Sequence, residues 1–313
     1  MQAQHIRNML VAAMVADAFG VPVEGQRRDT YQVTTMTSGG VWHQPVGSWS
    51  DDTAMSLALI DHLTVGGTYA DLMERFAAYM FKGAYTPTGN VFGMGQTCRV
   101  AIQRYVHDQV EPTKAGSDDE LSNGNGALMR LAPLAIVLAD EPSLTKRLQL
   151  THDYTCLTHR HPRAILASDI YLELLHALLN GATWSQALKT AATVLPVALQ
   201  KQSAILNEWP AFKRLWQSGF GQLPRTAIRS TAYVVDTLEA AVWVNLNSTE
   251  LSAAIQLAAN LGGDTDTIAT ISASLFTAVH PAAMVPLAWA QALNHGEIAD
   301  ELIRPFVARV TMT

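Results

Sequence analysis

Apolar residues return every three or four positions along most of the chain, and strict two-residue alternation is scarce. That is the periodicity of helices packed on one face, not of half-buried strands. It predicts helices over 6–18, 51–63, 69–81, 90–107, 126–139, 143–155, 161–179, 184–199, 231–244, 249–261, 265–280, 281–293 and 297–310. Ser50 precedes the second of these and two aspartates open it, the pattern of a capped N-terminus. Asp264 stands in the capping position before 265. The stretch 202–229, with Trp209, Pro210, Trp216, Gly219, Gly221 and Pro224, is the least regular and is expected to expose an apolar patch. About a dozen helices, no convincing sheet, no composition shift and no solenoid period predict an all-α fold: a single compact many-helix domain over 1–313.

Composition adds bounds. The chain has 313 residues, 49% of them hydrophobic, enough for a sizeable core. A net charge of -6 argues against duplex nucleic acid as a bulk partner, because that binding needs a basic face. A small anionic ligand stays compatible, since bound metal can supply local positive charge. The two cysteines, Cys98 and Cys156, form no CxxC pair, so a reducing cytosol fits and a cytoplasmic location is expected. The run at 9–16 looks like the apolar part of a secretory signal. Asp17 closes it and only Arg7 precedes it, which argues against one. No apolar run is expected to reach the roughly 20 residues of a membrane span.

The chemistry concentrates in two acidic clusters more than two hundred residues apart: Ser50-Asp51-Asp52-Thr53, and Gly262-Gly263-Asp264-Thr265-Asp266-Thr267. Carboxylates crowded at helix N-termini repel one another unless a cation lies between them. If the clusters meet, four carboxylates with Ser50 and Thr267 offer oxygen-only ligands for hard ions such as Mg²⁺ or Mn²⁺. The absence of a His/Cys pattern argues against zinc. The bland alternative is two helix caps. Glu24 follows Gly20 and Pro22 on a stiffened exit from the first helix, where a carboxylate can be aimed. Glycine-rich segments run through Gly89, Asn90, Val91 and Phe92, and through Ser122, Asn123, Gly124 and Asn125. Each enters a predicted helix, whose free N–H groups suit phosphate. His159, in a Thr-His-Arg-His run too sparse for zinc, offers a hydrogen bond to a hydroxyl or phosphate.

Taken in order, DAFGVPVEG (17–25), GSWSDDTAM (47–55), GNVFGMGQT (89–97), NGNGALMRLAPLA (123–135), LTHRHPRA (157–164), AYVVDTLEAAVW (232–243) and NLGGDTDT (260–267) resemble the ADP-ribosylglycohydrolase family, which includes the dinitrogenase-reductase-activating glycohydrolase. The first acidic cluster and GGDTDT are the specific parts. The resemblance implies an all-helical fold, two Mg²⁺ or Mn²⁺ ions in a cleft, and hydrolysis between the anomeric ribose carbon of ADP-ribose and an acceptor. The partner implied is ADP-ribose, or an ADP-ribosylated protein or other conjugate, with no membrane involved. By position, Ser50, Asp51, Asp52, Asp264, Asp266 and Thr267 match the family's metal ligands. Glu24 matches the family's early glutamate, a candidate for acid/base work or for orienting the distal ribose, and with Asp51 and Asp52 it makes the catalytic set the resemblance implies. Gly89, Asn90, Val91 and Phe92, Ser122, Asn123, Gly124 and Asn125, and His159 match segments that touch the substrate.

There are departures. Phe92-Gly93-Met94-Gly95 stands where arginine-directed relatives read Phe-Asp-Ile-Gly, so the carboxylate expected to face a guanidinium is missing. Asn123 replaces an aromatic that stacks on adenine in some relatives. Ala16, Ala232, Ala273 and Thr277 replace common glycines. Three rival readings share the scaffold: an ADP-ribose-binding protein without turnover, a metal-dependent hydrolase of another nucleotide or glycoside, and a structural protein like the family's lens-crystallin relatives. The intact acidic set and Glu24 weigh against the first and third.

Overall fold

The computed structural model describes residues 1–312, and it is all-helical. The helices are α1 Ala3–Gly20, α2 Asp51–Val65, α3 Tyr69–Lys82, α4 Gln96–Asp108, α5 Ala132–Val137, α6 Leu144–Cys156 and α7 Pro162–Leu179. After them come α8 Trp184–Ala198, α9 Ser203–Leu206, α10 Val234–Leu246, α11 Leu251–Ala259, α12 Thr265–Val279, α13 Leu287–Gln291 and α14 Gly296–Met312. Among the described residues only isolated bridges occur, as at Gly39 with Gln44 and Gly124 with Tyr233, and no sheet forms.

Three helices are buried on nearly every side. α12 is buried from Thr265 to Ala278, α10 from Val234 to Asn245, and α7 over most of its length. A helix apolar all round belongs in the centre of a large core, which is where these sit. α1 lies along α12, and Gly20 makes the closest approach. A Cβ there would fall 2.4 Å from the Cα of Asp266. Thr265 Oγ1 donates to the Gly20 carbonyl at 2.9 Å. The end of α1 is thereby fixed against the start of α12, so the segment carrying Glu24 leaves α1 beside the second acidic cluster.

Several expected elements shift, each for a local reason. The helix expected from 90 begins at Gln96, because Gly89 and Gly93 both take φ +77°, outside the helical region. The helix expected over 126–139 splits into a 3₁₀ turn, Leu128–Arg130, and α5, with Pro133 in the first turn of the new helix. Between 281 and 293 only Leu287–Gln291 is helical, since Pro281 and Pro286 each remove a donor. Over 202–229 the chain makes short 3₁₀ turns in which Trp209 and Trp216 stack, ring centroids 4.9 Å apart. Each ring covers the other, so the open apolar patch expected there is absent. Exposed apolar side chains near the acidic clusters include Val41, Trp42 and Val46 of the 41–46 loop and Leu121, and others are scattered over the surface. Contrary to expectation, Ala3–Val23 is apolar and long enough to pass for a membrane span. Of that window 83% is packed inside the fold, as in a core helix, and the buried Asn8 and Asp17 are satisfied there by hydrogen bonds to Pro281 and to Ser50 and Thr53.

Candidate metal centre and ligand pocket

The two acidic clusters meet. Thr267 Oγ1 donates to Asp52 Oδ2 at 3.2 Å across 215 residues of sequence. Oxygen atoms of Glu24, Asp264 and Asp266 lie within 4.8 Å of one another. The capping expected of Ser50 is present: its Oγ accepts from the Asp52 N–H at 3.3 Å, and the same hydroxyl contacts Asp52 Oδ2 at 3.2 Å. The cap expected of Asp264 is not made by its side chain. Its Oδ2 accepts instead from Asn125 Nδ2 at 2.6 Å, so the carboxylate is held toward the pocket rather than folded onto its own helix.

Backbone bonds deliver Glu24 to this group. Gly25 N–H donates to the Gly263 carbonyl (2.8 Å) and Gly263 N–H donates to the Gln26 carbonyl (2.9 Å). Gly263 has φ +73°, and a Cβ on it would lie 2.0 Å from the Ser230 carbonyl oxygen. Only glycine permits that approach. The Glu24 carboxylate accepts from Trp42 Nε1 and lies within hydrogen-bonding reach of Asp266. Trp42 comes from the 39–44 turn, whose ring also stands 6.0 Å from that of Phe92.

Asp17 completes the set and was not foreseen as a site residue. It is fully buried on α1 and accepts from the N–H groups of Ser50 and Thr53, each at 3.0 Å, thereby capping α2 from a neighbouring helix. Its only signal in the sequence is a carboxylate inside an apolar run.

The electrostatics are those of an anionic pit. Burial first, then the charges of Asp17, Glu24 and Asp264, push the Asp51 carboxyl up to about 8. Burial and then Asp17 and Asp51 push Asp52 well above the ordinary carboxylate range. Asp266 is raised by burial and then by Glu24 and Asp264. Glu24 is raised by burial, against which the Trp42 N–H works. Asp52 Oδ1 is buried without a hydrogen-bond partner. An orphaned carboxylate oxygen among crowded acids is what a hard divalent cation satisfies, so the donor set fits such an ion.

Above the acids lies a cavity of about 510 Å³, lined by Glu24, Asp51, Asp52, Asp264, Asp266 and Thr267 on its floor. That is the size range of small-molecule sites. Of the expected substrate residues, Gly124, Asn125 and His159 line it. Gly89, Asn90, Val91, Phe92, Ser122 and Asn123 do not. The wall is formed by Gly93, Gly95, Gln96, Thr97 and Cys98 of the next stretch, with Leu121, 97% exposed, at its edge. Asn123 is buried, its Nδ2 donating to the Glu120 carbonyl at 2.8 Å and its own carbonyl accepting from Val234 at 2.9 Å. It shapes the loop. Gly93 packs against the acids, and a Cβ there would fall 2.8 Å from Asp51 Oδ1.

The helical architecture places a carboxylate-floored pocket of small-molecule size at the junction of the two acidic clusters. The profile of the ADP-ribosylglycohydrolase family matches residues 2–312. The chain is 31% identical over 308 residues to the ADP-ribosylarginine hydrolase Tri1 of Pseudomonas putida (strain GB-1), covering 97% of this chain and 78% of that one. It is 28% identical over 287 residues to the ADP-ribosyl-dinitrogen-reductase glycohydrolase of Rhodospirillum rubrum, covering 90% and 87%. A solved structure described as an ADP-ribosylglycohydrolase-related protein complex superposes with a TM-score of 0.78 at 29% identity, over 99% of this chain and 98% of that one. The chain therefore belongs to the ADP-ribosylglycohydrolase family.

Proposed function

We propose that the protein, acting as one unit over 1–313 in the cytoplasm, releases ADP-ribose from an ADP-ribosylated protein or other conjugate with the help of two divalent ions. The observation that carries this reading is the junction of Asp52 with Thr267 beside the Glu24, Asp264 and Asp266 carboxylates. Ser50, Asp51, Asp52, Asp264, Asp266 and Thr267 would hold the ions, Mg²⁺ or Mn²⁺. Bound there, such ions neutralise the pit, orient hydroxyls and lower the pKa of water.

The chain's own residues supply the rest. The carboxylate floor faces positive charge that grows on the anomeric carbon as the glycosidic bond loosens. Glu24, raised by burial and held by Trp42, is the proton carrier. Such transfer typically contributes about 10²–10⁴-fold. Asn125 aims Asp264, and His159 binds the ligand from the opposite wall. Gly93 leaves no carboxylate above Asp51 to pair with a guanidinium, which favours acceptors other than arginine. The relatives named for arginine and dinitrogen reductase keep arginine in the test. Incubation with Mg²⁺ and a panel of Arg-, Ser- and nucleic-acid-linked ADP-ribose, following free ADP-ribose, decides. Release from at least one conjugate supports the reading, and release from none in any divalent metal refutes it.

A further inference from the structure

Behind the pocket wall sits an arginine without an acid. Arg130 is 1% exposed, yet it makes no ion pair with a carboxylate among the described residues, and the titratable side chain within its hydrogen-bonding reach is Cys98. Its guanidinium lies over the Phe76 ring, 5.0 Å from the centroid. It donates to the Gly126 carbonyl, to the Tyr154 carbonyl at 3.2 Å and to Thr158 Oγ1 at 2.8 Å. Thr158 is fully buried, and its hydroxyl lies 2.9 Å from His159 Nδ1. The far nitrogen of that ring, Nε2, makes no hydrogen bond within the protein. It faces the cavity between Gly124 and Gly126, where a Cβ would come within 3.7 and 3.6 Å of it.

We propose that Arg130 and Thr158 are positioning residues that lock His159 in its Nε2–H tautomer, so that the pocket presents one fixed, neutral donor to an oxygen acceptor of the bound ligand. The argument is one of donors and acceptors. Arginine has only donors, so Thr158 must accept from it. Thr158 keeps one proton, and two groups lie within its reach: His159 Nδ1 and the sulfur of Cys98. Sulfur is a weak acceptor, while an unprotonated imidazole nitrogen is a strong one. Cys98 is itself turned to donate toward the Gly126 carbonyl at 3.7 Å. The pairing that satisfies every group gives the Thr158 proton to Nδ1 and leaves the ring proton on Nε2. Burial, and then the Arg130 charge, hold His159 down at about 3, so the ring is neutral and has one acceptor nitrogen to offer Thr158. The cation behind Thr158 sharpens its hydroxyl as a donor, and no buried carboxylate competes for that role.

The ligand is taken to be ADP-ribose, and in that respect the inference rests on the proposed function. The test separates the two. Nitrogen-15 NMR of histidine-labelled protein, free of metal and ligand, reads the tautomer, with His159→Gln assigning the signal. The expected wild-type result is an unprotonated Nδ1 and a protonated Nε2. Thr158→Val should abolish that single-tautomer signature and raise the Kd for ADP-ribose in Mg²⁺ about tenfold, the size of one hydrogen bond to a ligand. Thr158→Ser keeps the hydroxyl and should restore both. A wild-type ring protonated on Nδ1 overturns the proposal, as does a Thr158→Val protein with unchanged tautomer and affinity. Should Thr158→Val fail to fold, the wild-type spectrum and the Thr158→Ser protein still decide. A locked tautomer in a protein that does not bind ADP-ribose upholds the lock and counts against the functional reading.

Discussion

Asn125 is the residue whose loss the structure predicts most fully. Its Nδ2 donates to Asp264 Oδ2 at 2.6 Å and to Thr237 Oγ1 at 2.9 Å, while its backbone N–H is held by the Ala232 carbonyl at 3.1 Å. Asn125→Ala leaves the backbone contact and removes the other two. A hydrogen bond to a charged group contributes about 1.5–3 kcal/mol and a neutral one about 0.5–1.5 kcal/mol. Thr237 still donates to the Thr231 carbonyl at 3.0 Å, so no stranded donor adds to the loss. The expected destabilisation of metal-free protein is about 2–4 kcal/mol by urea unfolding in EDTA. Groups that orient a metal ligand typically govern about 10–100-fold in affinity, and Mn²⁺ binding by calorimetry should weaken by that factor. Asn125→Asp keeps the size but sets a second carboxylate against Asp264. It should cost more stability without metal than Asn125→Ala does, and less affinity for Mn²⁺. An Asn125→Ala protein that binds Mn²⁺ within about twofold of wild type would refute the idea that Asn125 aims Asp264.

Gly20→Ala should destabilise by about 1–3 kcal/mol in urea unfolding, because its Cβ lands on the Asp266 backbone and forces α1 and α12 apart; a neutral result would mean the two helices are not fixed there. His159 is depressed to about 3 in the folded state against about 6.5 unfolded. The unfolded chain therefore binds more protons between those values, and stability present above pH 6.5 is lost as pH falls. Over the two units below 6.5 this amounts to about 2 kcal/mol. His159→Gln should flatten that part of the stability–pH curve relative to wild type, and parallel curves would contradict the assignment. Trp42→Phe keeps the ring beside Phe92 but deletes the donor to Glu24. Initial-rate kinetics should show kcat falling about tenfold at nearly constant KM, whereas a rise in KM alone would make Trp42 a binding residue only.

The helical class was readable because apolar spacing reports the face a helix buries, and α7, α10 and α12 show it strongly. The acidic clusters were readable as chemistry because each concentrates carboxylates beside a helix start. Their convergence rested on a resemblance and on the cost of unpaired charge, not on any local signal. What the sequence hid depends on partners distant along the chain. Asn125 reaches Asp264 across 139 residues, and Asp17 caps a helix 33 residues away. The cavity wall begins at Gly93 rather than at the expected Gly89 to Phe92. The positive φ of Gly89 and Gly93 delays α4 and brings Gly93 and the segment from Gly95 to Cys98 to the pocket. Arg130 gives no sign of a role in the sequence, because a buried arginine without an acid is invisible until its neighbours are known.

Crystals soaked in manganese and measured at the manganese edge test the central claim most directly. The account predicts two anomalous peaks in the pocket, bounded by Ser50, Asp51 and Asp52 on one side and Asp264, Asp266 and Thr267 on the other, and lost together in Asp264→Asn. An empty pocket in soaked wild-type crystals, or manganese bound only elsewhere on the molecule, would contradict it.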